Sequence, residues 1–329
     1  MEVIVTGSNG FVGKNLVEKL KEMPDVVINK LVRSKSKNEN DNRDNEYLVD
    51  YNDIGTLLEC KAFDKNIDYV FHIAGITKGR TKQAFWDGNV RPTINLLETL
   101  KRKNIPLKRF VYISSHAAAG PSDRKTHYKT ECEKQNPIEF YGMSKFAAEE
   151  AVRSYSDQIP FTIIRPGAVY GPYDKDFLNI YKMTKSRLNI YPANKNKFIS
   201  FIFIKDLIDA AIDASLSKNT INKTYFICNH HPASWKEIHE RIFKIAQKTF
   251  SSFSLSYGQL KILASLMEFV SLFSKEVPIL NRQKLKLSYP DYWIASSEQA
   301  HKDFGFSPTY SLEEGLKVTY NWYKKMGLI

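Results

Sequence analysis

The chain has 329 residues, more than one small hydrophobic core usually serves, so we expect one large domain or two coupled lobes. Its 43% hydrophobic and 26% charged residues argue against a disordered, collagen-like or membrane-embedded protein. The 48 Lys and Arg against 36 Asp and Glu give a net charge of +12, which attracts phosphates, nucleic acid or an anionic membrane without choosing among them. Cys60, Cys132 and Cys228 form no Cys-x-x-Cys pair, which favours a reducing compartment, the cytoplasm.

The chain opens on an apolar run that predicts a buried strand and leaves no room for a signal peptide. Residues 7–13, Gly-Ser-Asn-Gly-Phe-Val-Gly, stand between this strand and a segment of helical periodicity. Such a loop lets backbone N–H groups approach a pyrophosphate at the positive end of the helix, although a tight turn without a ligand is the alternative. The expected cofactor contacts here are Gly7, Asn9, Gly10, Phe11, Val12 and Gly13.

Apolar runs then alternate with helical patterns. The strand candidates are Val26 to Val32, Tyr69 to Ala74, Phe110 to Ser114 and Phe161 to Arg165. This alternation predicts an α/β fold of the Rossmann type, a doubly wound parallel sheet. The polar segment 34–46 is expected to be an exposed loop without a catalytic part.

The end of the second predicted strand bears on the cofactor. NAD-binding folds usually carry an acidic residue there, about 20 residues after the glycine loop, to bind the ribose. This chain has Arg33 and Lys35 instead, which would pair with a 2′-phosphate, so we expect NADP (NADPH) in preference to NAD. A solvated basic loop end is the alternative. Asp50, after the third strand, would accept from the adenine amino group or cap a helix that begins near Asp53.

Tyr141 and Lys145 stand four residues apart at the start of a strong helical pattern, so both side chains can face one cleft. At ~5 Å an ammonium would stabilise a phenolate by roughly 3 kcal/mol. We therefore expect Lys145 to lower the pKa of Tyr141 from its usual ~10 towards neutrality, where a tyrosine serves as general acid or base.

Seven motifs follow one another along the chain. They are Thr6 to Gly13; Phe71-His72-Ile73-Ala74-Gly75; Asn89-Val90 with Asn95-Leu96-Leu97; Tyr112-Ile113-Ser114-Ser115; Tyr141 with Lys145; Arg165 to Pro172; and Ile204-Lys205-Asp206-Leu207. In this order they resemble the extended short-chain dehydrogenase/reductases, the NAD(P)-dependent epimerase/dehydratase family. Some segments look most similar to the dihydroflavonol-reductase and 3β-hydroxysteroid-dehydrogenase branch of that family. They are Gly75 to Lys78, Ser234 to Glu237, and Ala300 to Pro308 with Leu312 to Gly315.

The resemblance implies roles for particular residues. Tyr141 would transfer the proton on the substrate oxygen, Lys145 would also hold the nicotinamide ribose, and Ser115, five residues before Gly120, would donate a hydrogen bond to that oxygen. For the neighbouring Ser114 the alternative is a purely structural role, in which a serine at the end of a strand bonds to the backbone. Further cofactor contacts would come from Ala74, Gly75, Asn89, Ser114, Pro166 and Gly167.

The predicted domains are a cofactor-binding domain over residues 1–165, to which 198–229 returns, and a smaller, mostly helical substrate lobe over 166–197 and 230–329. The substrate candidates are Lys78, His116, Val169 and Phe201. His230 and His231 lack partners at metal spacing, so we expect no metal site.

The reaction is left between alternatives. Sugar-nucleotide epimerases of the resembled family commonly place an arginine that grips the diphosphate where this chain has Ile199-Ser200. This difference and Arg33 favour net oxidoreduction over a nucleotide-sugar epimerase or dehydratase that keeps NAD bound. A non-catalytic NADPH-sensing regulator is a further alternative, against which the retention of Ser115, Tyr141 and Lys145 argues.

The apolar helix predicted over 259–273 is expected to be buried, with a lid or a membrane-facing segment within 255–280 as alternatives. The resemblance also implies a homodimer built from the helix after Asn89 and the helix that carries Tyr141. Scattered Lys and Arg without a known motif argue against specific nucleic-acid binding.

Overall fold

The structure is a computed structural model that describes residues 1–33, 44–186, 188–192, 194–271 and 281–329. Lys35, expected near a 2′-phosphate, lies outside the described residues, as does the end of the predicted helix over 259–273.

The strands of the described residues follow in chain order. They are β1 (Glu2–Thr6), β2 (Val27–Val32), β3 (Asp44–Leu48), β4 (Tyr69–His72), β5 (Arg109–Ile113), β6 (Phe161–Pro166), β7 (Ala168–Tyr170), β8 (Leu188–Pro192), β9 (Phe198–Ile199), β10 (Phe201–Phe203), β11 (Lys223–Ile227), β12 (Ala233–Ser234), β13 (Ser251–Leu255) and β14 (Tyr292–Trp293).

The helices alternate with these strands. They are α1 (Phe11–Glu22), α2 (Ile54–Leu58), α3 (Lys82–Phe85), α4 (Arg91–Arg102), α5 (His116–Ala119), α6 (Phe140–Arg153), α7 (Leu178–Ser186), α8 (Ile204–Leu216), α9 (Trp235–Ile245), α10 (Tyr257–Ser271), α11 (Arg282–Leu287), α12 (Glu298–Phe304) and α13 (Leu312–Lys325). A π-helical turn, Trp86–Val90, joins α3 to α4, and 3₁₀ turns cover Lys61–Asp64 and Lys218–Thr220.

The main sheet has seven parallel strands in the order β11-β6-β5-β4-β1-β2-β3. This order confirms the predicted doubly wound parallel sheet. The central strands are buried and mostly apolar, as expected where helices cover both faces of a sheet. The expected loop over 34–46 is wrong at its end, because Asp44 begins β3, which pairs with β2.

Two hydrophobic cores lie on opposite faces of the sheet. On one face Leu16 of α1 and Leu207 of α8 pack with Val5 of β1. On the other face Leu96 of α4 and Ala148 of α6 are buried in the second core. Because the strands are parallel, the carboxyl ends of β1, β4, β5 and β6 lie at one edge of the sheet, where ligands bind in such folds.

The chain beyond β6 adds short sheets as well as helices. β7 pairs with β10, β9 lies between β12 and β14, and β8 pairs with β13. α9 packs on α7 and α13, while α10 contacts α11. The expectation that the helix over 259–273 is buried is wrong, because Ile262, Leu263 and Leu266 of α10 are exposed. Among the described side chains of α10, Leu260 and Ala264 are buried in a small core with Leu285 of α11, and Tyr257 packs against this core.

Candidate active site

The glycine loop after β1 is packed so tightly that two of its positions have no room for a side chain. Gly7 has φ +72°, and a Cβ there would lie 2.7 Å from the backbone nitrogen of Ala74. A Cβ on Gly13 would lie 2.1 Å from the carbonyl oxygen of Gly7. The loop therefore depends on glycine to bring the first turn of α1 against the ends of β1 and β4.

The start of α1 suits an anion. Its N-cap is Gly10, no side chain caps the helix, and the first turn holds no acidic residue. The hydroxyl of Ser8 is buried and has no hydrogen-bond partner. Backbone N–H groups at a helix N-terminus and an orphaned hydroxyl fit a pyrophosphate, which would supply the missing acceptors.

Arg33 directly follows β2 and is exposed. Burial raises the pKa of the Tyr51 phenol, and Arg33 lies close enough for its positive charge to oppose this rise. The Tyr51 hydroxyl donates to the carbonyl of Leu31 at 2.7 Å. The alternative in which Asp50 caps α2 is wrong, because Asp53 is the cap and accepts from the N–H of Gly55 at 2.9 Å. Asp50 instead accepts from the N–H of Asn52, also at 2.9 Å.

Asn89 connects the end of β4 to α6. Its Oδ1 accepts from the N–H of Ile76 at 2.7 Å, and its Nδ2 donates to the carbonyl of Ile76 and to the hydroxyl of Ser144. A Cβ on Gly75 would lie 2.7 Å from this Oδ1. The π-helical turn aims Asn89 inward, a distortion that is frequent at functional sites.

Ser115 and Tyr141 belong to two packed helices. Ser115 is the N-cap of α5 and accepts from the N–H of Ala117 at 3.1 Å. Tyr141 lies in the first turn of α6, where the Glu139 carboxylate accepts from its N–H at 2.6 Å. A Cβ on Gly142 would lie 2.3 Å from the carbonyl oxygen of Ala117, so glycine allows the two helices to meet. Sequence reasoning missed Glu139, which fixes the start of α6.

The pKa of Tyr141 differs from the sequence-based expectation. Burial and, to a smaller extent, the Glu139 carboxylate raise it to about 12, although a hydrogen bond with Ser115 opposes the shift. The predicted lowering by Lys145 is not found, because burial dominates the shift. The phenol is therefore protonated at neutral pH.

Lys145 lies one turn after Tyr141 on α6, as the sequence pattern predicts. Its buried ammonium donates to the carbonyl of Ile113 at 2.7 Å and stands 4.3 Å from the centre of the Tyr112 ring. Burial lowers the pKa of Lys145 to about 7, and the charge of Glu149 opposes this shift. Lys145 can therefore change its protonation state near neutral pH.

Glu149, four residues after Lys145, is a fully buried carboxylate that sequence reasoning missed. It accepts from the guanidinium of Arg165 at 2.9 and 2.6 Å, from Arg153 at 3.0 Å and from the hydroxyl of Ser114 at 2.5 Å. The predicted bond from Ser114 to backbone is thus wrong, since its hydroxyl meets Glu149. An arginine within the apolar run of β6 was the available signal, because a buried charge needs a partner.

Pro166 ends β6, and Gly167 follows it at the sheet edge. A Cβ on Gly167 would lie 2.3 Å from the carbonyl oxygen of Ser200, and its N–H donates to the carbonyl of Ile227 at 3.0 Å. Glycine therefore allows the chain after β6 to come close to the backbone of Ser200, just before β10.

The four substrate candidates have different surroundings. Lys78 is exposed and pairs with Asp176 at 2.9 Å, and Val169 is partly buried on β7. Phe201 is wrong as a substrate residue, because its ring is buried among core aromatic side chains. His116 is buried between the Phe226 and Trp293 rings, its Nε2 has no hydrogen-bond partner, and burial lowers its pKa to about 3.

The described segments of the chain contain neither a metal-binding cluster nor a membrane-spanning helix. No cluster of three His, Cys, Asp or Glu residues there could hold a metal ion. No helix of those segments is long and apolar enough to span a bilayer.

Residues 3–228 match the family model described as NAD dependent epimerase/dehydratase family. The chain belongs to this family. A putative UDP-glucose 4-epimerase of Methanocaldococcus jannaschii is 30% identical over 236 residues, 67% of this chain and 75% of that protein. A UDP-glucose 4-epimerase of Vibrio cholerae is 25% identical over 331 residues, 96% of this chain and 94% of that protein.

Solved structures of epimerases and dehydratases share the fold. UDP-glucuronic acid 4-epimerase from Bacillus cereus, in complex with UDP-glucuronic acid and NAD, has a TM-score of 0.78 and 24% identity, covering 99% of this chain and 100% of that chain. dTDP-glucose 4,6-dehydratase from Bacillus anthracis, in complex with NAD, has a TM-score of 0.79 and 20% identity over the whole of both chains. The prediction of an NAD(P)-dependent extended short-chain dehydrogenase/reductase is confirmed.

Proposed function

We propose that this epimerase/dehydratase family member catalyses net oxidoreduction at a carbonyl or secondary alcohol carbon. The observation that carries the proposal is the placement of Tyr141 in the first turn of α6, which packs on α5 where Ser115 is the N-cap. A protonated phenol is the form that gives a proton to the oxygen of a carbonyl under reduction. When bound, a nicotinamide dinucleotide supplies or accepts the hydride.

The proposed catalytic roles are those that the family resemblance implies, and the placement of the residues supports them. Tyr141 would move the proton on the substrate oxygen, and Ser115 would donate to the same oxygen. Lys145, one turn along α6, would bind the nicotinamide ribose. The glycine loop and the N-terminus of α1 would hold the pyrophosphate, while Gly167 would approach the nicotinamide through its backbone.

The preference for NADP is part of the proposal. Arg33 is exposed at the end of β2, where an acidic residue would be needed to bind an unmodified ribose. We expect Arg33→Ala to weaken NADPH binding at least tenfold relative to NADH, measured by cofactor fluorescence. Arg241→Ala, which removes an exposed arginine paired with Glu313, is the matched control and should change neither affinity. An unchanged ratio of NADPH affinity to NADH affinity in Arg33→Ala would contradict the assignment.

The substrate side supports a compound other than a nucleotide sugar. Ile199 stands where an arginine would grip a diphosphate, and it lies partly buried in β9. Three basic residues could bind a diphosphate in place of that arginine, and they are Lys195, Lys197 and Arg282. Lys195 is exposed, and the other two have partners. The Lys197 ammonium is buried and donates to the carbonyl of Ser288, and Arg282 pairs with Glu268 at 2.6 Å.

A second candidate is a nucleotide-sugar epimerase or dehydratase that keeps NAD bound. The full-length similarity to the Vibrio cholerae UDP-glucose 4-epimerase favours it. One experiment separates the two: mass spectrometry of the dinucleotide that co-purifies, followed by a screen of ketones, steroids and UDP- or dTDP-sugars. Stoichiometric oxidation of NADPH by a ketone supports net oxidoreduction. Tightly bound NAD with sugar-nucleotide turnover and no net redox change would reject it.

We also propose a homodimer and a cytoplasmic location. Trp86 before α4 and Met143 on α6 are exposed large apolar side chains on the two helical segments expected at the interface. Light scattering should give twice the monomer mass, and Met143→Arg should reduce it to one monomer. All three cysteines are free, which suits a reducing compartment.

A further inference from the structure

The outward face of α10 is apolar, which is the reverse of an ordinary surface helix. Ile262, Leu263 and Leu266 are 65%, 41% and 58% exposed. Residues three and four apart share a helix face, so Leu266 lies next to both of the others and the three form one patch. Phe253 on β13, shortly before α10, is 46% exposed.

Basic residues outnumber acidic residues in this part of the chain. The described residues from 248 to 271 and from 281 to 286 include five basic residues and one acidic residue. The acidic residue, Glu268, is already paired with Arg282. The exposed Lys261 stands beside Ile262 on α10 itself. The combination of exposed leucine and isoleucine with unmatched positive charge complements a surface that is apolar inside and anionic outside.

We propose that α10 docks on an anionic lipid bilayer, with Ile262, Leu263 and Leu266 in the acyl boundary and Lys261 among the headgroups. Interfacial helices bind in this way, through one apolar face and neighbouring basic side chains. A second copy of the chain is a poorer occupant. The area of three side chains is far below the ~800 Å² that each partner of a stable dimer buries.

The docking surface lies near the proposed catalytic residues. α10 packs on α11 through Leu260, Ala264 and Leu285. The Lys286 ammonium of α11 stands 5.8 Å from the centre of the Phe140 ring, next to Tyr141. One short helix therefore separates the bilayer from the start of α6. If the proposed function holds, this arrangement suits a substrate with an apolar tail.

Vesicle co-sedimentation tests the docking with the whole chain, and needs neither cofactor nor substrate. Wild type should bind phosphatidylcholine vesicles that contain phosphatidylserine at low salt, and less at high salt. The triple variant I262S/L263S/L266S should lose at least tenfold in affinity, and Lys261→Glu about tenfold. Leu216→Ser, which removes a 52% exposed leucine at the end of α8, is the matched control and should bind like wild type.

Three results would overturn the proposal. They are wild type that stays in the supernatant at low salt, a triple variant that binds as tightly as wild type, and a self-association that the triple variant abolishes without any vesicle binding. NADPH titration and circular dichroism of each variant establish that it is folded. A failure of NADPH binding in wild type would contradict the proposed function and leave the vesicle result standing.

Discussion

Glu149→Gln is the substitution that most sharply tests how the site is supported. The carboxylate is fully buried and accepts from Arg165, Arg153 and Ser114. Arg165 is itself fully buried, and its Nη1 has no hydrogen-bond partner. A glutamine has nearly the same shape but no charge, and its amide nitrogen would face a donor. The substitution therefore leaves a buried guanidinium without its counter-ion.

The expected cost is about 3–5 kcal/mol of unfolding free energy, the range for removing one partner of a buried ion pair. Glu150→Gln is the matched control. Its side chain is 57% exposed and pairs with Arg153 at 2.5 Å, so its loss should cost less than about 1 kcal/mol. Urea titrations followed by circular dichroism measure both. Equal losses in the two variants would refute the structural reasoning.

The free energy of unfolding at acidic pH tests the same prediction in a second way. Burial raises the pKa of Glu149, but Arg165 and its other partners outweigh burial and lower the pKa below its usual value. The ion pair therefore stabilises the fold above the ordinary glutamate pKa of ~4.3, and this contribution disappears as the pH falls through the lowered pKa. Glu149→Gln should flatten the loss of stability in that range, and an unchanged acid limb would contradict the assignment.

The remaining predictions concern the cofactor loop and the lysine. Gly13→Ala should weaken NADPH binding at least tenfold, because its Cβ would lie 2.1 Å from the Gly7 carbonyl oxygen, whereas Gly258→Ala, with nothing within 4 Å, should not; fluorescence titration compares them. Lys145 should titrate near pH 7 by lysine NMR, and Glu149→Gln should move the midpoint lower, since Glu149 raises that pKa. A Lys145 midpoint near its ordinary ~10.4 would contradict the buried environment.

The sequence predicted the main sheet because its central strands are mostly apolar and alternate with helical patterns. β1, β2, β4, β5 and β6 each fall within or close to the predicted segments. The glycine loop was equally readable, since strand, loop and helix are adjacent in the chain.

Long-range packing was not readable. Glu149 and Arg165 meet across a helix and a strand, so no local pattern joins them. Phe201 shows the same limit, because a short strand does not reveal which face meets the core. The apolar composition of α10 predicted burial, but the described neighbours cover only one side of that helix. The pKa of Tyr141 was not predictable, because a spacing of four residues indicates how near Lys145 lies but not how deeply the phenol is buried.

The central claim is that the protein transfers a hydride while Tyr141 handles the proton. It is tested most directly with NADPH deuterated at the reactive nicotinamide carbon, a carbonyl substrate found in the screen, and mass spectrometry of the product. Wild type should move deuterium to the substrate carbon, and Tyr141→Phe should bind NADPH equally well but transfer the label at least ~100-fold more slowly. Label transfer at the wild-type rate in Tyr141→Phe, or no binding of NADPH or NADH by wild type, would contradict it.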